Sequence, residues 1–407
     1  MAFIKGSTGN DILIGTPSRD RMFGRTGNDI VTGKEGDDRL FGGQGADRLW
    51  GAAGADRIEG GTGNDALFGG SGADRLRGGV GADRIEAGYG DDCVFGGAGN
   101  DFLIGEQGRD ILHGGSGDDT LYSGLLSTGA ADAGGLLYGE NGADSLFGGA
   151  GHDRLYGGTG NDGLEGFGGN DLLDGGRGDD YVDGKAGDDV LIGGGGSDTM
   201  NGQEGMDVLR GGGGNDLLAV GTGFYDVIES DSGPNFAHGG AGDDHLIGAL
   251  GDDRLIGGAG NDRIAGNGGE DLLEGGTGAD LFTHIFAIDP ERLVRTVAGS
   301  DRIVDFDPVT DRVEISVSVT AFDPEDPRPV WHLDFGDLDT NGNGVLDEED
   351  SFVDILEGSE LGSEMTVLNT SAMLNTINEG DPFHWAASGL AFDGVTGLKE
   401  ENFILVS

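Results

Sequence analysis

From about Gly6 to Thr283 the chain repeats one nine-residue unit thirty times, and a strict short period of this kind requires one small structural unit stacked on itself. Clean copies read Gly42-Gly-Gln-Gly-Ala-Asp-Arg-Leu-Trp50, Gly96-Gly-Ala-Gly-Asn-Asp-Phe-Leu-Ile104 and Gly257-Gly-Ala-Gly-Asn-Asp-Arg-Ile-Ala265. The sixth place holds Asp11, Asp20, Asp29, Asp38, Asp47, Asp56, Asp65, Asp74, Asp83, Asp92, Asp101, Asp110 and Asp119 without a slip. After an interruption it holds Asp144, Asp153, Asp162, Asp171, Asp180, Asp189, Asp198, Asp207 and Asp216, then Asp226, then Asp244, Asp253, Asp262, Asp271 and Asp280. Gly135 and Asn235 are the two exceptions. Two places later every copy is apolar, from Leu13, Met22 and Val31 to Leu273 and Phe282.

The first six places are glycine-rich and polar and cannot form a core, whereas glycines at fixed offsets allow tight turns and close backbone approach. The last three places predict a short strand whose middle residue points inward and whose neighbours point outward. A three-residue strand and a six-residue turn, repeated, predict a parallel solenoid. Two copies complete one coil, so copies eighteen residues apart lie side by side on one sheet.

One aliphatic side chain per nine residues is too little apolar burial to offset the ordering of nine residues. The loops therefore need a ligand, and carboxylates with free carbonyls in a flexible loop select a hard cation, calcium before softer metals. Charge points the same way. The chain carries 75 acidic and 24 basic residues, a formal net charge of −51, and stacked acidic loops repel without counter-ions. One Ca²⁺ between neighbouring loops of two stacks gives about 25 ions, which nearly cancels that charge. Folding is expected to be coupled to calcium uptake, with the calcium-free chain largely disordered.

The copies fit Gly-Gly-x-Gly-x-Asp-x-U-x, with U a large aliphatic residue, and the chain resembles the RTX (repeats-in-toxin, haemolysin-type calcium-binding) family over roughly its first 283 residues. The resemblance implies a parallel β-roll with calcium held by loop aspartates and loop carbonyls of neighbouring coils. The fold expected is all-β: a β-roll of about thirty nonapeptides at 1–283, a capping segment at 284–335, an EF-hand-like loop at 336–358 and a secretion-signal region at 359–407.

Ser300-Asp-Arg-Ile-Val-Asp-Phe-Asp-Pro308 and Asp311-Arg-Val-Glu-Ile-Ser316 look like the segment that closes RTX rolls. The tail Leu390-Ala-Phe-Asp-Gly-Val-Thr-Gly-Leu398, ending Glu401-Asn-Phe-Ile-Leu-Val-Ser407, is similar to uncleaved type I secretion signals. Met1-Ala-Phe-Ile-Lys5 runs almost directly into the first repeat, with no signal peptide and no run approaching a membrane span. Together these features imply export by a type I secretion apparatus to the outside of the cell. Cys93 is the only cysteine, which rules out an internal disulfide.

Asp339-Thr-Asn-Gly-Asn-Gly-Val-Leu-Asp-Glu-Glu-Asp350 resembles an EF-hand loop. Asp339, Asn341, Asn343 and Asp347 supply side-chain oxygens, Val345 its carbonyl, and Asp350 stands where the bidentate Glu is usual; a helix is expected at Phe352 to Glu357. Catalytic patterns are missing. The seven histidines form no zinc-protease pair, no serine sits in a Gly-x-Ser-x-Gly elbow, and Asp381-Pro-Phe-His384, faintly similar to an epimerase motif, lacks its second acid and reads as a loop.

Arg21, Arg39, Arg57 and Arg75 share the seventh place at eighteen-residue spacing and should stand side by side. They either answer neighbouring loop carboxylates or form an anion ladder for a carboxylated or phosphorylated polysaccharide. Phe23 with Phe41, and Trp50 with Phe68, pair at the ninth place and either pack on each other or seed lateral association. Interruptions fall at Ser123 to Gly129 and around Val220. The function expected is a secreted, non-enzymatic calcium-binding β-roll of the extracellular matrix, surface or biofilm, with an acidic polysaccharide or a second copy as candidate partner and no nucleic acid. The alternatives are an accessory module for a polysaccharide-modifying enzyme and an ice-binding roll. The last rests on Thr8-Gly-Asn10, Thr26-Gly-Asn28 and Thr62-Gly-Asn64, a row broken by Gln44-Gly-Ala46.

Overall fold

The computed structural model describes residues 1–124, 134–221, 233–288, 300–303 and 305, and the strands 312–319, 345–346, 353–357, 364–369, 389–393, 398–399 and 403–405; side chains are described at 1–124, 134–221, 233–283, 303 and 305. Every regular element among the described residues is a β-strand. No helix among them is long and apolar enough to cross a membrane. The chain divides into two compact units, residues 1–199 and 200–407.

In the first unit each strand pairs in parallel with the one a coil later. Arg21–Thr26 pairs with Arg39–Gln44, which pairs with Arg57–Thr62 and that with Arg75–Val80. The intervening strands Ile30–Glu35, Arg48–Ala53 and Ala66–Ser71 form the second sheet. Met22, Leu40, Ile58 and Leu76 from one sheet and Val31, Leu49, Leu67 and Ile85 from the other are at most 2% exposed, so the eighth-place column is the core. The interruption after Gly124 leaves this register intact: Ile111–Ser116 pairs with Leu136–Asn141, and Thr120–Gly124 with Ser145–Gly149.

The strands are longer than the expected three residues. Most span six, running from the seventh place through the third place of the next copy, as in Arg48–Ala53 and Ala66–Ser71. The first-place residue therefore points inward as well, as the alternating burial of these strands records. Hydrogen bonding to the adjacent coil continues past the aliphatic residue and leaves a tighter turn at the fourth to sixth places. The second and fourth places take left-handed backbone angles. Gly45 has φ +120°, and a Cβ there would stand 2.3 Å from the Gly27 carbonyl, so this fourth place demands glycine.

The second unit repeats the plan in Val208–Gly213, Phe236–Ala241, Arg254–Ala259 and Leu272–Thr277, and in Leu217–Ala219, His245–Ile247, Arg263–Ala265 and Leu281–Ile288. Beyond the repeats both sheets continue. Ser300–Ile303 joins Leu272–Thr277 and Gly389–Asp393, while Arg312–Val319 joins Leu281–Ile288 and Phe403–Leu405, all in parallel. The helix expected at Phe352 to Glu357 is instead the strand Val353–Glu357, antiparallel to Glu364–Asn369. Its β-branched Val353 and Ile355 suit an extended ladder with a ready partner. Val345 lies on the short strand Val345–Leu346, antiparallel to Leu398–Lys399. The side chains expected to line that loop, Asp339, Asn341, Asn343, Asp347 and Asp350, fall outside the described residues, as do Asp226, His384 and most of both interruptions.

Candidate metal centre

Among the described residues the sixth-place aspartates from Asp20 on are buried in vertical rows. Along the rows one carboxylate oxygen, Oδ1, accepts the backbone N–H of the sixth-place residue one coil before. Asp38 accepts from Asp20 at 2.6 Å, Asp56 from Asp38 at 2.6 Å, Asp74 from Asp56 at 2.7 Å and Asp92 from Asp74 at 2.7 Å. The second row runs from Asp29, which accepts from Asp11, through Asp47 and Asp65, and crosses the interruption, where Asp144 accepts from Asp119 at 2.7 Å. In the second unit Asp244 accepts from Asp216 and Asp262 from Asp244.

The other oxygen decides the chemistry. At Asp29, Asp38, Asp47, Asp56, Asp65, Asp74, Asp83, Asp92 and Asp101, and again at Asp119, Asp144, Asp162, Asp180, Asp244 and Asp262, Oδ2 is buried and accepts no hydrogen bond. A buried anionic oxygen left this way is costly unless a cation completes it. Burial pushes the acids upward against the pull of the backbone N–H bond, and neighbouring carboxylates add to it at Asp47, Asp56, Asp65, Asp74, Asp92 and Asp101. Asp47, Asp56 and Asp83 are raised to about 6, and Asp65, Asp74, Asp92 and Asp101 to about 7.

The first-place glycine faces that oxygen. A Cβ on Gly42 would stand 2.4 Å from Asp47 Oδ2 and 2.6 Å from the carbonyl of Gly60, one coil on. At Gly24 the same two roles fall to Asp29 Oδ2 and the Gly42 carbonyl. Carboxylate and carbonyl oxygens thus converge on one side of a bare Cα. Ala87 is a first-place exception, buried beside Asp92, so a single methyl is accommodated there. Among the described residues no three carboxylate, imidazole or thiol side chains converge as a metal cluster. Such a cation would take much of its coordination from the backbone, and all-oxygen ligation by carboxylates and carbonyls fits Ca²⁺. The sixth-place aspartates would hold it, with carbonyls of the adjacent coil.

The loops at Asp11, Asp20 and Asp253 complete that oxygen, Oδ2, themselves. Ser7 donates its N–H to Asp11 Oδ2 at 2.6 Å and its hydroxyl at 3.0 Å. Thr16 does the same for Asp20, at 2.7 and 2.9 Å. The Ala249 N–H donates to Asp253 Oδ2 at 2.7 Å. For Asp20, burial works upward, but the Thr16 and Ala2 amides and the Thr16 hydroxyl leave its pKa below the ordinary value. Past the last repeats, Asp305 accepts the N–H groups of Gly275 and Gly276 at 2.8 and 2.7 Å. Asn235 keeps the row by accepting the Asp207 N–H through Oδ1, while its amide nitrogen donates to the Gly233 carbonyl.

Sequence reasoning missed the fifth place. Asn10, Asn28, Asn100 and Asp118 each accept, through Oδ1, an N–H from the next coil at 2.9 to 3.1 Å, a second hydrogen-bonded row running opposite to the first. The frequent Asn or Asp just before the aspartate was the available signal. The aromatic pairs are stacked as expected, Phe23–Phe41 at 4.8 Å and Trp50–Phe68 at 5.2 Å. In a longer stack, Phe95–His113–Tyr138–Tyr156, the two outer steps keep the eighteen-residue spacing and the interruption hides only the step from His113 to Tyr138. The arginines stand in register, Arg21 beside Arg39, Arg57 and Arg75. Among the described residues none of the four forms an ion pair with a carboxylate.

The family model of the RTX calcium-binding nonapeptide repeat (four copies) matches residues 5–40, 32–67, 68–103, 95–125, 133–164, 165–200, 192–226, 220–255 and 247–282. No curated protein matches the chain. Among solved structures it is similar to the AlgE6R3 subunit from the Azotobacter vinelandii mannuronan C5-epimerase, at 23% identity and TM-score 0.22, over 48% of this chain and 79% of that one. It is also similar to a hyperactive, Ca²⁺-dependent, β-helical antifreeze protein from an Antarctic bacterium, at 21% identity and TM-score 0.27, over 63% of this chain and 83% of that one. The repeat match spans well over half of the sequence, and the chain belongs to the RTX calcium-binding nonapeptide-repeat family.

Proposed function

We propose that this chain is a secreted, non-enzymatic β-roll that folds as it takes up about two dozen Ca²⁺ ions outside the cell, and that it serves in the extracellular matrix, at the cell surface or in a biofilm. The observation that carries this reading is the row of buried aspartate Oδ2 atoms with no hydrogen-bond donor. Residues 284–335 close the roll, 336–358 hold a further calcium loop, and 359–407 are read by a type I secretion apparatus. An acidic polysaccharide or a second copy of the chain is the partner sought on the outer faces.

The second reading is an accessory module for a polysaccharide-modifying enzyme, and turnover of a polymer by the pure protein would favour an enzyme over either reading. For ice binding, the third-place column reads Thr26, Gln44, Thr62, Val80, which gives no regular threonine array, and thermal hysteresis is expected to be nil. Circular dichroism in EDTA and then in millimolar calcium tests the main reading. A β spectrum that forms only with calcium supports it, and one unchanged by chelator sinks it.

A further inference from the structure

We infer that the outer face of one sheet in residues 1–199 carries a binding groove for a linear anionic polysaccharide, with Arg39, Arg57, Arg75 and Arg77 as its anion-binding residues. This rests on the extracellular, calcium-loaded reading above, because bound cations would offset the acidic loops that otherwise repel a polyanion. The groove encloses about 540 Å³, within the range of ligand sites. Its walls include those four arginines, Phe41 and Phe95.

Arg39, Arg57 and Arg75 are neighbours in register, and Arg77 stands beside Glu59 in the parallel column. Like charges one strand apart, about 4.8 Å, repel. In a chain with 75 acidic residues such a row would be expected to recruit carboxylates, yet none of the four forms an ion pair among the described residues. Elsewhere the same chemistry does pair, as in Arg254 with Glu274 at 3.7 Å. Of the acids on the groove wall, Glu140 is engaged by His113 at 2.9 Å, which leaves Glu59 against four guanidiniums.

The row is also held in place. The Arg75 guanidinium lies over the Phe95 ring, 4.9 Å from its centroid, and Phe95 is itself fixed by stacking on His113. The ninth-place column is aromatic at Phe41 and Phe95 but not at Glu59 and Arg77 between them, so the groove is the gap between two rings. Arg57, Arg75 and Arg77 stay exposed, with their planar forks open to carboxylate or sulfate.

The geometry favours a glycan over the other polyanions. An extended peptide gains affinity on a sheet through main-chain hydrogen bonds at its edge, and this groove lies on a face, where only side chains could be read. A nucleic acid is held by a basic field that tracks a long phosphate backbone, whereas here the arginines form one row of three with a fourth beside it. A linear sugar polymer with one acid group per residue matches a short row of forks flanked by apolar rings.

The test is calorimetric titration of the full chain in calcium with a short oligouronate, a sulfated oligosaccharide, a neutral glucan of equal length and a single-stranded DNA oligonucleotide. Saturable binding to either acidic sugar, weakened by salt and reduced at least tenfold in R39Q/R57Q/R75Q/R77Q, is the expected result, with R48Q/R84Q on the other sheet unchanged. The two acidic sugars distinguish carboxylate from sulfate as the group read. The single variant R57Q, expected to lose part of the affinity, covers a fourfold variant that folds poorly. Unchanged affinity in the arginine variants, equal binding of the neutral glucan, tighter binding of DNA, or no binding of either acidic sugar overturns the proposal. Circular dichroism of the same samples with and without chelator keeps the two readings apart. A roll that stays folded in chelator refutes calcium-driven folding, and the titration on that folded chain still decides the groove.

Discussion

The loops that end in Asp11 and Asp20 and the loops from Asp29 to Asp101 contain the same aspartate and treat its second oxygen in opposite ways. In the first two, Ser7 and Thr16 turn an N–H and a hydroxyl onto Oδ2. From Asp29 to Asp101 the second place turns away with a left-handed backbone, as at Arg25 with φ 95° and Lys34 with φ 88°, and Oδ2 is left buried without a donor. The early loops are complete as polypeptide, whereas the later ones require a ligand. Strain and unmet hydrogen bonding at the second and sixth places are the cost of building a cation site from so short a repeat.

The largest test of this difference is pH in the absence of metal. Aspartates such as Asp65, Asp74 and Asp101, raised by burial to about 7, titrate near 3.9 in the unfolded chain. Between about 4 and 7 the metal-free roll binds more protons than the unfolded chain, so its stability falls as pH rises through that window. In EDTA the β signal should therefore grow as pH is lowered from 8 to 5. Asp20, lowered instead of raised, has the opposite sign: its contribution is lost only as pH falls below the ordinary aspartate range. With calcium present, protons compete, and the calcium midpoint should rise as pH falls. A metal-free chain no more folded at pH 5 than at pH 8 would contradict the unmet-oxygen account.

Next in size is the count of bound ions. Asp56→Asn/Asp74→Asn/Asp92→Asn keeps the Oδ1 row, as Asn235 does naturally, but removes three anionic oxygens. Native mass spectrometry should count fewer ions at saturation and calcium titration a midpoint raised roughly tenfold, equivalent to about 1.4 kcal/mol. Asp11→Asn/Asp20→Asn should leave the ion count unchanged. Equal losses in the two variants would erase the distinction between the loops.

Backbone angle gives a third contrast. Gly45→Ala puts a side chain at φ +120° and against the Gly27 carbonyl, so a loss of about 2 kcal/mol is expected in urea unfolding at saturating calcium. Ser18 holds the same fourth place in an early loop without a positive φ, and Ser18→Gly should cost a few tenths of a kcal/mol. Similar losses at the two positions would show that the loops share one backbone.

Much of this was legible in the repeat. The aliphatic eighth place fixed the core, and the eighteen-residue count fixed which arginines and aromatic rings are neighbours. The sixth-place aspartate named the kind of ligand. Three things were not readable from period alone. The strand length was missed because hydrogen bonding through the glycines is set by the neighbouring coil, not by side-chain pattern. The His113–Tyr138 step of the aromatic stack was hidden by the interruption that breaks the count. The extended conformation at Val353–Glu357 was read as helix because a loop motif was allowed to outweigh the β-branched residues beside it. The early loops did carry a mark, since Pro17 and Ser18 depart from the repeat where the conformation departs from it.

The smallest effect isolates one hydrogen bond in the self-completed loop. Thr16→Val preserves shape and removes the hydroxyl that donates to Asp20 Oδ2 at 2.9 Å, while the Thr16 N–H bond at 2.7 Å remains. A net loss of about 1 kcal/mol is expected, read as faster hydrogen exchange in Arg21–Thr26 at saturating calcium. The ion count should not change, because Asp20 keeps a donor on that oxygen. If the variant instead bound one more ion, the hydroxyl would be what keeps the cation out, and the early loop would differ from its neighbours by a single side chain, not by its backbone.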